Sequence, residues 1–161
     1  MKAGASLVTL HPRTRAQGFS GSARWEHIGR LKSALDVPVF GSGDLFQARD
    51  CARMLSETGC DGVMVARGTL GNPFIFAEAR ALLCGGQVDA SRDPTVRLSS
   101  AMEHLRLLAG SVGEAKACRD MRKHFVAYTK GLEGGSLIRE SVVHAERIEE
   151  YEQIVESYLR D

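Results

Sequence analysis

The sequence predicts an α/β fold in which three strand–helix repeats come first and an all-helical segment follows. Three observations carry this reading. Short apolar runs suited to strands alternate with helical stripes as far as Gly85. Two glycine-rich loops, Gly41-Ser42-Gly43-Asp44 and Arg67-Gly68, close consecutive strands one repeat apart. Beyond Gly85-Gly86 the apolar residues recur only at helical spacing.

Ala5 to Leu10 reads as the first strand. Pro12 cannot donate to a ladder and holds His11 extended, which places His11 at the strand's last position with Arg13 and Arg15 just beyond. Ser22 is the expected N-cap of a helix that buries Trp25, Ile28, Leu31 and Leu35. Val37-Pro38 begins the second strand, and Gln47 to Thr58 makes a helix with Ala48, Cys51 and Leu55 inward and Gly59 as C-cap. Gly62 to Ala66 is a third strand, apolar enough to be covered on both faces. Asn72 and Pro73 are the expected cap and first position of a third helix, with Phe74, Ala77, Ala81 and either Leu82 or Cys84 inward. Three repeats cannot close a barrel of eight units, and as an open sheet they leave apolar edges. The expectation is a chain cut off at its amino end.

Gly85-Gly86 and the polar run Asp89 to Asp93 read as a linker, and Asp93-Pro94 restarts helix with Leu98, Met102, Leu105 and Ala109 in its stripe. Gly110 to Gly113 is expected to break it. The next helix, from Glu114, turns Cys118, Met121, Phe125 and Tyr128 inward. Its other faces carry Lys116, Arg119, Arg122, Lys123 and Lys130, beside His124, a density suited either to RNA phosphates or to a plain solvated face. After the turn at Gly131, Gly134 and Gly135, Leu137, Ile138 and Val142 begin another helix. The last helix sends Ile148, Tyr151, Val155 and Leu159 inward and shows Glu149, Glu150, Glu152 and Glu156 outward, so an RNA surface belongs on the Arg119 to Lys130 side.

A formal charge of +1 on 161 residues argues against a strongly basic nucleic-acid module, and no apolar run is long enough to span a membrane. Met1 to Ala5 lacks the apolar core of a signal peptide, and Cys51, Cys60, Cys84 and Cys118 lack C-x-x-C spacing, which suits buried free thiols in a reducing, cytoplasmic setting. The five histidines show no metal-ligand spacing, so no metal is expected. No catalytic constellation is complete. The strand-end loops are placed where α/β folds gather anions on backbone N–H donors. His11 either faces such a ligand or caps a loop; Arg67 either neutralises a phosphate or pairs with a carboxylate; Asp44 is expected to accept backbone donors and shape its loop.

These residues together resemble the carboxyl-terminal half of a tRNA-dihydrouridine synthase. The resemblance covers nearly the whole chain. It rests on H-x-R-T-R at His11 to Arg15, G-x-x-x-W at Gly21 to Trp25, V-P-V-x-x-x-G-D ending at Asp44, G-V-M-x-x-R-G-x-x-G-N-P ending at Pro73, and R-K-H-x-x-x-Y-x-K-G at Arg122 to Gly131. It implies that residues 1–88 are the last three βα units of a flavin-holding (β/α)8 TIM barrel, and that 89–161 form a small helical tRNA-binding domain. It implies FMN as cofactor and NADPH as reductant, with hydride passing to the C5=C6 bond of a tRNA uridine. His11 would lie beside the flavin and Arg13 near the flavin or the RNA, and Gly41, Ser42, Gly43, Arg67 and Gly68 would surround the FMN phosphate, with Asp44 shaping the loop. Arg15, Arg119, Arg122, Lys123 and Lys130 are the expected RNA contacts.

The chain departs from the family pattern at Ser42, Ala66 and Phe74, where asparagine, glycine and tryptophan are usual. The family's proton-donating cysteine, active-site lysine and first five strands have no counterpart in these residues. A fragmentary member is therefore expected, with a separately encoded amino-terminal half as the alternative origin. Two other functions stay open: another FMN or sugar-phosphate barrel enzyme, and a non-catalytic tRNA-binding remnant.

Overall fold

A computed structural model describes residues 4–87 and 93–160. It is a mixed α/β structure with one small parallel sheet and, among the described residues, seven α-helices. The chain divides into two units. The first runs to Thr69 and resumes at Pro73 for one helix; the second takes Leu70–Asn72 and everything from the fourth helix on.

In the first unit β1 (Val8–Leu10), β2 (Val39–Ser42) and β3 (Gly62–Met64) lie side by side in that order, all parallel. Val8 pairs with Val39, and Gly41 with Val63, so Val8, Leu10, Val39, Gly41 and Val63 share one face. The helices α1 (Glu26–Ala34) and α2 (Ala48–Thr58) cover that face, with Ile28, Met54 and Cys51 buried against Val39. The other face carries Thr9, Phe40, Ser42, Gly62 and Met64. There the Phe40 ring lies over Gly62, where a Cβ would fall 2.7 Å from it.

Several expectations are corrected. The first strand is shorter, with Leu7 exposed before it. Ser22 caps nothing: α1 starts at Glu26 because Asp44, from the loop after β2, takes the Ala23 N–H at 2.7 Å. In α2 Ala48 and Cys51 are buried as expected, Met54 joins them, Leu55 packs half-buried against the same cluster, and Gly59 closes the helix at φ 65. Met64 at the end of β3 is exposed, so that strand is not covered on both faces. Asn72 and Pro73 precede a turn, α3 runs Ile75–Leu83, and its inward residue is Ile75; Ala77 and Cys84 face out.

The second unit packs α4 (Pro94–Val112), α5 (Glu114–Tyr128), α6 (Gly135–Val142) and α7 (Ile148–Arg160) around one core. The Asp93 carboxylate accepts the Thr95 N–H at 2.7 Å and Pro94 fills the first turn, as the sequence predicts. The remainder of the expected linker, residues 89–92, lies outside the described residues. Helix α4 continues through Gly110 and ends only at Gly113, whose φ is 84. One exposed glycine costs a helix about 1 kcal/mol, less than the burial of Leu98, Met102 and Leu105 on the same helix returns. The α5 stripe of Cys118, Met121, Phe125 and Tyr128 is buried as predicted. In α7, Leu159 is exposed; Tyr158 packs instead, and its hydroxyl donates to the Glu133 carbonyl at 2.7 Å. Cys51, Cys60 and Cys118 are buried free thiols, and Cys84 is an exposed one. Among the described residues no helix is long and apolar enough to cross a membrane, and no group of three or more His, Cys, Asp or Glu is placed to hold a metal ion.

Candidate functional site

Parallel strands that start together also end together, so His11, Asp44 and Arg67, which follow β1, β2 and β3, meet at one edge of the sheet. Arg13 organises this edge from beneath. Its side chain is 3% exposed. One terminal nitrogen donates to both Asp44 carboxylate oxygens, at 2.9 and 2.8 Å, and to the Gly21 carbonyl at 2.6 Å. The other terminal nitrogen is buried without a partner among the described residues. Trp25 completes the tie, its indole N–H donating to the Gly43 carbonyl at 3.0 Å. The segments after β1 and β2 are thus joined to the chain that enters α1.

Asp44 holds a left-handed backbone, φ 57, which its role as acceptor for Ala23 and Arg13 stabilises. Burial alone would push its carboxyl up. The Ala23 N–H, the Arg13 hydrogen bonds and the charges of Arg13 and Arg67 outweigh that and hold it below the ordinary carboxylate value. Arg67 stands farther off, 3.4 Å from Asp44 Oδ1. Both of its sequence readings therefore remain compatible with the geometry: it pairs loosely with a carboxylate and keeps donors for another anion. Two guanidiniums against one carboxylate leave the edge net positive.

A cavity of about 210 Å³ opens here, lined by His11, Ser42, Gly43, Asp44, Arg67 and Gly68 together with Phe19, Phe46 and Met64. Arg13 and Gly41 do not line it. Gly41 sits inside β2 with its Cα hydrogen toward the helices, where a Cβ would come within 2.5 Å of Met54 Sδ, so its missing side chain serves packing. Gly43, at φ 111, brings the loop so near His11 that a Cβ would lie 3.2 Å from the ring, in the cavity wall. At Gly68 a Cβ would overlap the Leu45 carbonyl oxygen, so only glycine lets the two strand-end loops touch. Glycine-walled backbone, a serine hydroxyl, an exposed histidine and an arginine form a donor set suited to a phosphate group. Two larger cavities, about 980 Å³ beside Trp25 and Arg53 and about 530 Å³ between α6 and α7, lie away from the Arg67 and Gly68 loop.

The cations expected to meet nucleic acid fall into two groups. Arg15, Arg119, Lys123 and Lys130 are exposed, and Arg119 and Lys123, one turn apart, share a face of α5. Arg122 turns inward and donates to the Ala145 carbonyl at 3.2 Å, with its Nε buried and unpartnered among the described residues. It ties α5 to the segment before α7 and departs from the solvent-facing set. Residues not singled out in the sequence are Phe19 and Phe46, whose rings flank Arg67 at 4.2 and 5.3 Å, and His104. The His104 ring lies 4.8 Å from that of His124, and its Nδ1 is 3.5 Å from the Tyr128 hydroxyl. Burial, then the neighbouring His104 and Lys123, pull His124 below the ordinary histidine value against the opposing pull of Asp120.

Comparison with known proteins gives a consistent answer. The family model described as Dihydrouridine synthase (Dus) matches residues 1–161. A probable tRNA-dihydrouridine synthase of Treponema pallidum is 43% identical over 157 residues, covering 95% of this chain and 46% of the relative. A protein of the same description in Mycobacterium tuberculosis is 41% identical over 156 residues, covering 95% of this chain and 40% of the relative. One in Aquifex aeolicus is 37% identical over 155 residues, covering 96% and 48%. The chain spans a little under half the length of these relatives.

Proposed function

The chain belongs to the dihydrouridine synthase family, and on that premise we propose that it is the portion of a tRNA-dihydrouridine synthase that holds the phosphate of FMN and contributes contacts to tRNA. The reaction is reduction of a tRNA uridine to 5,6-dihydrouridine in the cytoplasm, with NADPH as reductant. The observation that carries the reading is the convergence of His11, Ser42, Gly43, Arg67 and Gly68 on one cavity at the ends of parallel strands, beside a cluster of two guanidiniums and one carboxylate.

Flavin, when bound, supplies the hydride chemistry for the C5=C6 bond. The chain's residues bind and orient. Ser42 would donate its hydroxyl and Arg67 its remaining N–H groups to the phosphate, while Arg13 and Asp44 keep the two supporting loops in register. His11, exposed at the cavity wall, would face the ligand. In this reading the three units are the last of a (β/α)8 barrel, whose other strands, from an amino-terminal partner segment, would pair with β1 and β3; these pair on one side only among the described residues. Arg15, Arg119, Lys123 and Lys130 would meet RNA phosphates, which positions the tRNA without reading its sequence. The target base must leave its stack to be reached, a cost such contacts offset.

The test uses unmodified transcribed tRNA with FMN and NADPH, and this chain alone and with a separately expressed amino-terminal segment of the Treponema pallidum relative. Nucleoside mass spectrometry is expected to find uridine gaining two hydrogens in at least one mixture, only with NADPH present. Unchanged uridine in both, with tRNA bound, contradicts the reading.

A further inference from the structure

We propose that Phe19 and Phe46 form an aromatic clamp that presents the Arg67 guanidinium edge-on to the anionic group of the bound ligand, with Phe19 as the jaw that moves. The proposal rests on the reading of this cavity as a phosphate site. It assigns two positioning residues to that site.

The Arg67 guanidinium carbon lies 4.2 Å from the Phe19 ring centroid and 5.3 Å from that of Phe46. Both rings are otherwise poorly covered, Phe19 being 69% exposed and Phe46 47%. Exposed phenylalanines in a loop gain little from burial, so what they cover here is chiefly the cation. Rings set this close to a guanidinium shield part of it from water and leave its remaining N–H donors for an anion. A planar cation presented by its edge matches two phosphate oxygens at once, which a lysine ammonium cannot do. Asp44 does not compete strongly. Its contact to Arg67 is 3.4 Å, whereas its contacts to Arg13 and Ala23 are between 2.7 and 2.9 Å.

The two jaws are mounted differently. Phe46 stands at the entry to α2, where its N–H donates to Asp50 Oδ2 at 3.1 Å beside the Gln47–Asp50 capping box. Phe19 stands on the loop between Gly18 and Gly21, at φ 54 and 61, with open space at both Cβ positions among the described residues. The backbone of that loop is held by Arg13 on the Ser20 and Gly21 carbonyls and by the Ser20 N–H and hydroxyl, which both donate to the Gln17 carbonyl and close a turn around Phe19. What is left to move is the exposed Phe19 side chain, which turns away from Arg67 to admit a ligand and returns over it, while the backbone of the loop and Phe46 stay in place.

The experiment is a fluorescence titration of the full 161-residue chain with FMN and, separately, with riboflavin, which shares the ring system and lacks the phosphate. Phe19→Ala is expected to weaken FMN by about fivefold and leave riboflavin unchanged, Phe19→Leu to behave like alanine, and Phe19→Tyr to restore wild-type affinity. Equal FMN affinity in wild type and Phe19→Ala overturns the clamp while the phosphate reading stands. Equal weakening of FMN and riboflavin does the same. A wild-type chain that takes up neither FMN nor inorganic phosphate overturns the phosphate reading and the clamp with it.

Discussion

Arg13 and Asp44, thirty-one residues apart in sequence, form a bidentate pair whose arginine is almost wholly buried. The pair joins the ends of β1 and β2 and sets where the cavity opens. With Trp25 on Gly43, it ties the loops that carry His11, Ser42 and Gly43 to the entry of α1.

Removing the carboxylate leaves a buried guanidinium without its counter-charge, which costs several kcal/mol in a closed interior. Asp44 is 26% exposed, so Asp44→Ala is expected to cost about 2–3 kcal/mol, below the full buried-pair value. Trp25, the single tryptophan, bonds to Gly43 and reports this unit alone. Urea unfolding followed by its fluorescence checks the loss; a change under about 0.5 kcal/mol, the size of a neutral surface substitution, contradicts it.

The same pair predicts an acid transition. The Asp44 carboxyl is held below its ordinary value in the folded chain, so its stabilisation is complete above the unfolded value near pH 4 and is lost as pH falls through the folded value. Trp25 fluorescence followed from pH 6 downward at a fixed, sub-denaturing urea concentration is expected to show unfolding on the acid side of about pH 4. Asp44→Asn is expected to be less stable at neutral pH and to lose that portion of the pH dependence.

Gly68→Ala places a methyl group against the Leu45 carbonyl. The backbone of two loops must part, at about 1–3 kcal/mol, and FMN affinity is expected to fall at least tenfold because the cavity wall moves. Gly18→Ala, in open space on the Phe19 loop, is the contrast, strained only by its positive φ. Equal flavin affinity in Gly68→Ala and wild type, by absorbance titration, contradicts the packing account.

In the helical unit, His124 on α5 is pulled below the ordinary histidine value by burial, His104 on α4 and Lys123, against Asp120. A histidine harder to protonate when folded contributes stability that is present above the unfolded value near pH 6.5 and is lost as pH falls below it. Thermal unfolding read by helical circular dichroism is expected to show a midpoint that drops between about pH 7 and 5.5. His124→Gln is expected to flatten that slope, and an unchanged slope contradicts the assignment.

What the sequence made legible was governed by neighbours in the chain. Asp93-Pro94 and Gly59 fulfil their capping roles through groups one to four residues away, and the α5 stripe follows from spacing alone. What escaped depends on contacts across the fold. Ser22 is a plausible cap, but Asp44 reaches back to claim the Ala23 N–H. Arg122 and Lys123 are adjacent cations; Arg122 lies four residues after Cys118 and three before Phe125, on the flank of the buried stripe, and the Ala145 carbonyl gives it a partner there. Gly41 belongs to a loop by composition and to a strand by register, with its surface taken by Met54 and Ile28. Phe19 and Phe46 sit 48 and 21 residues from the arginine they flank, beyond any local pattern. The polar residues that line the cavity were recognisable in the sequence; the aromatic rings beside Arg67 were not.

The central claim, that the ends of three parallel strands hold the phosphate of FMN, is tested most directly by visible absorption during FMN titration of the purified chain and of Arg67→Ala. The account predicts one-to-one uptake by the wild type, with Arg67→Ala weakened at least tenfold and riboflavin bound less tightly than FMN by both. A wild-type chain that takes up no FMN, or one that binds FMN and riboflavin alike and is indifferent to Arg67→Ala, contradicts it.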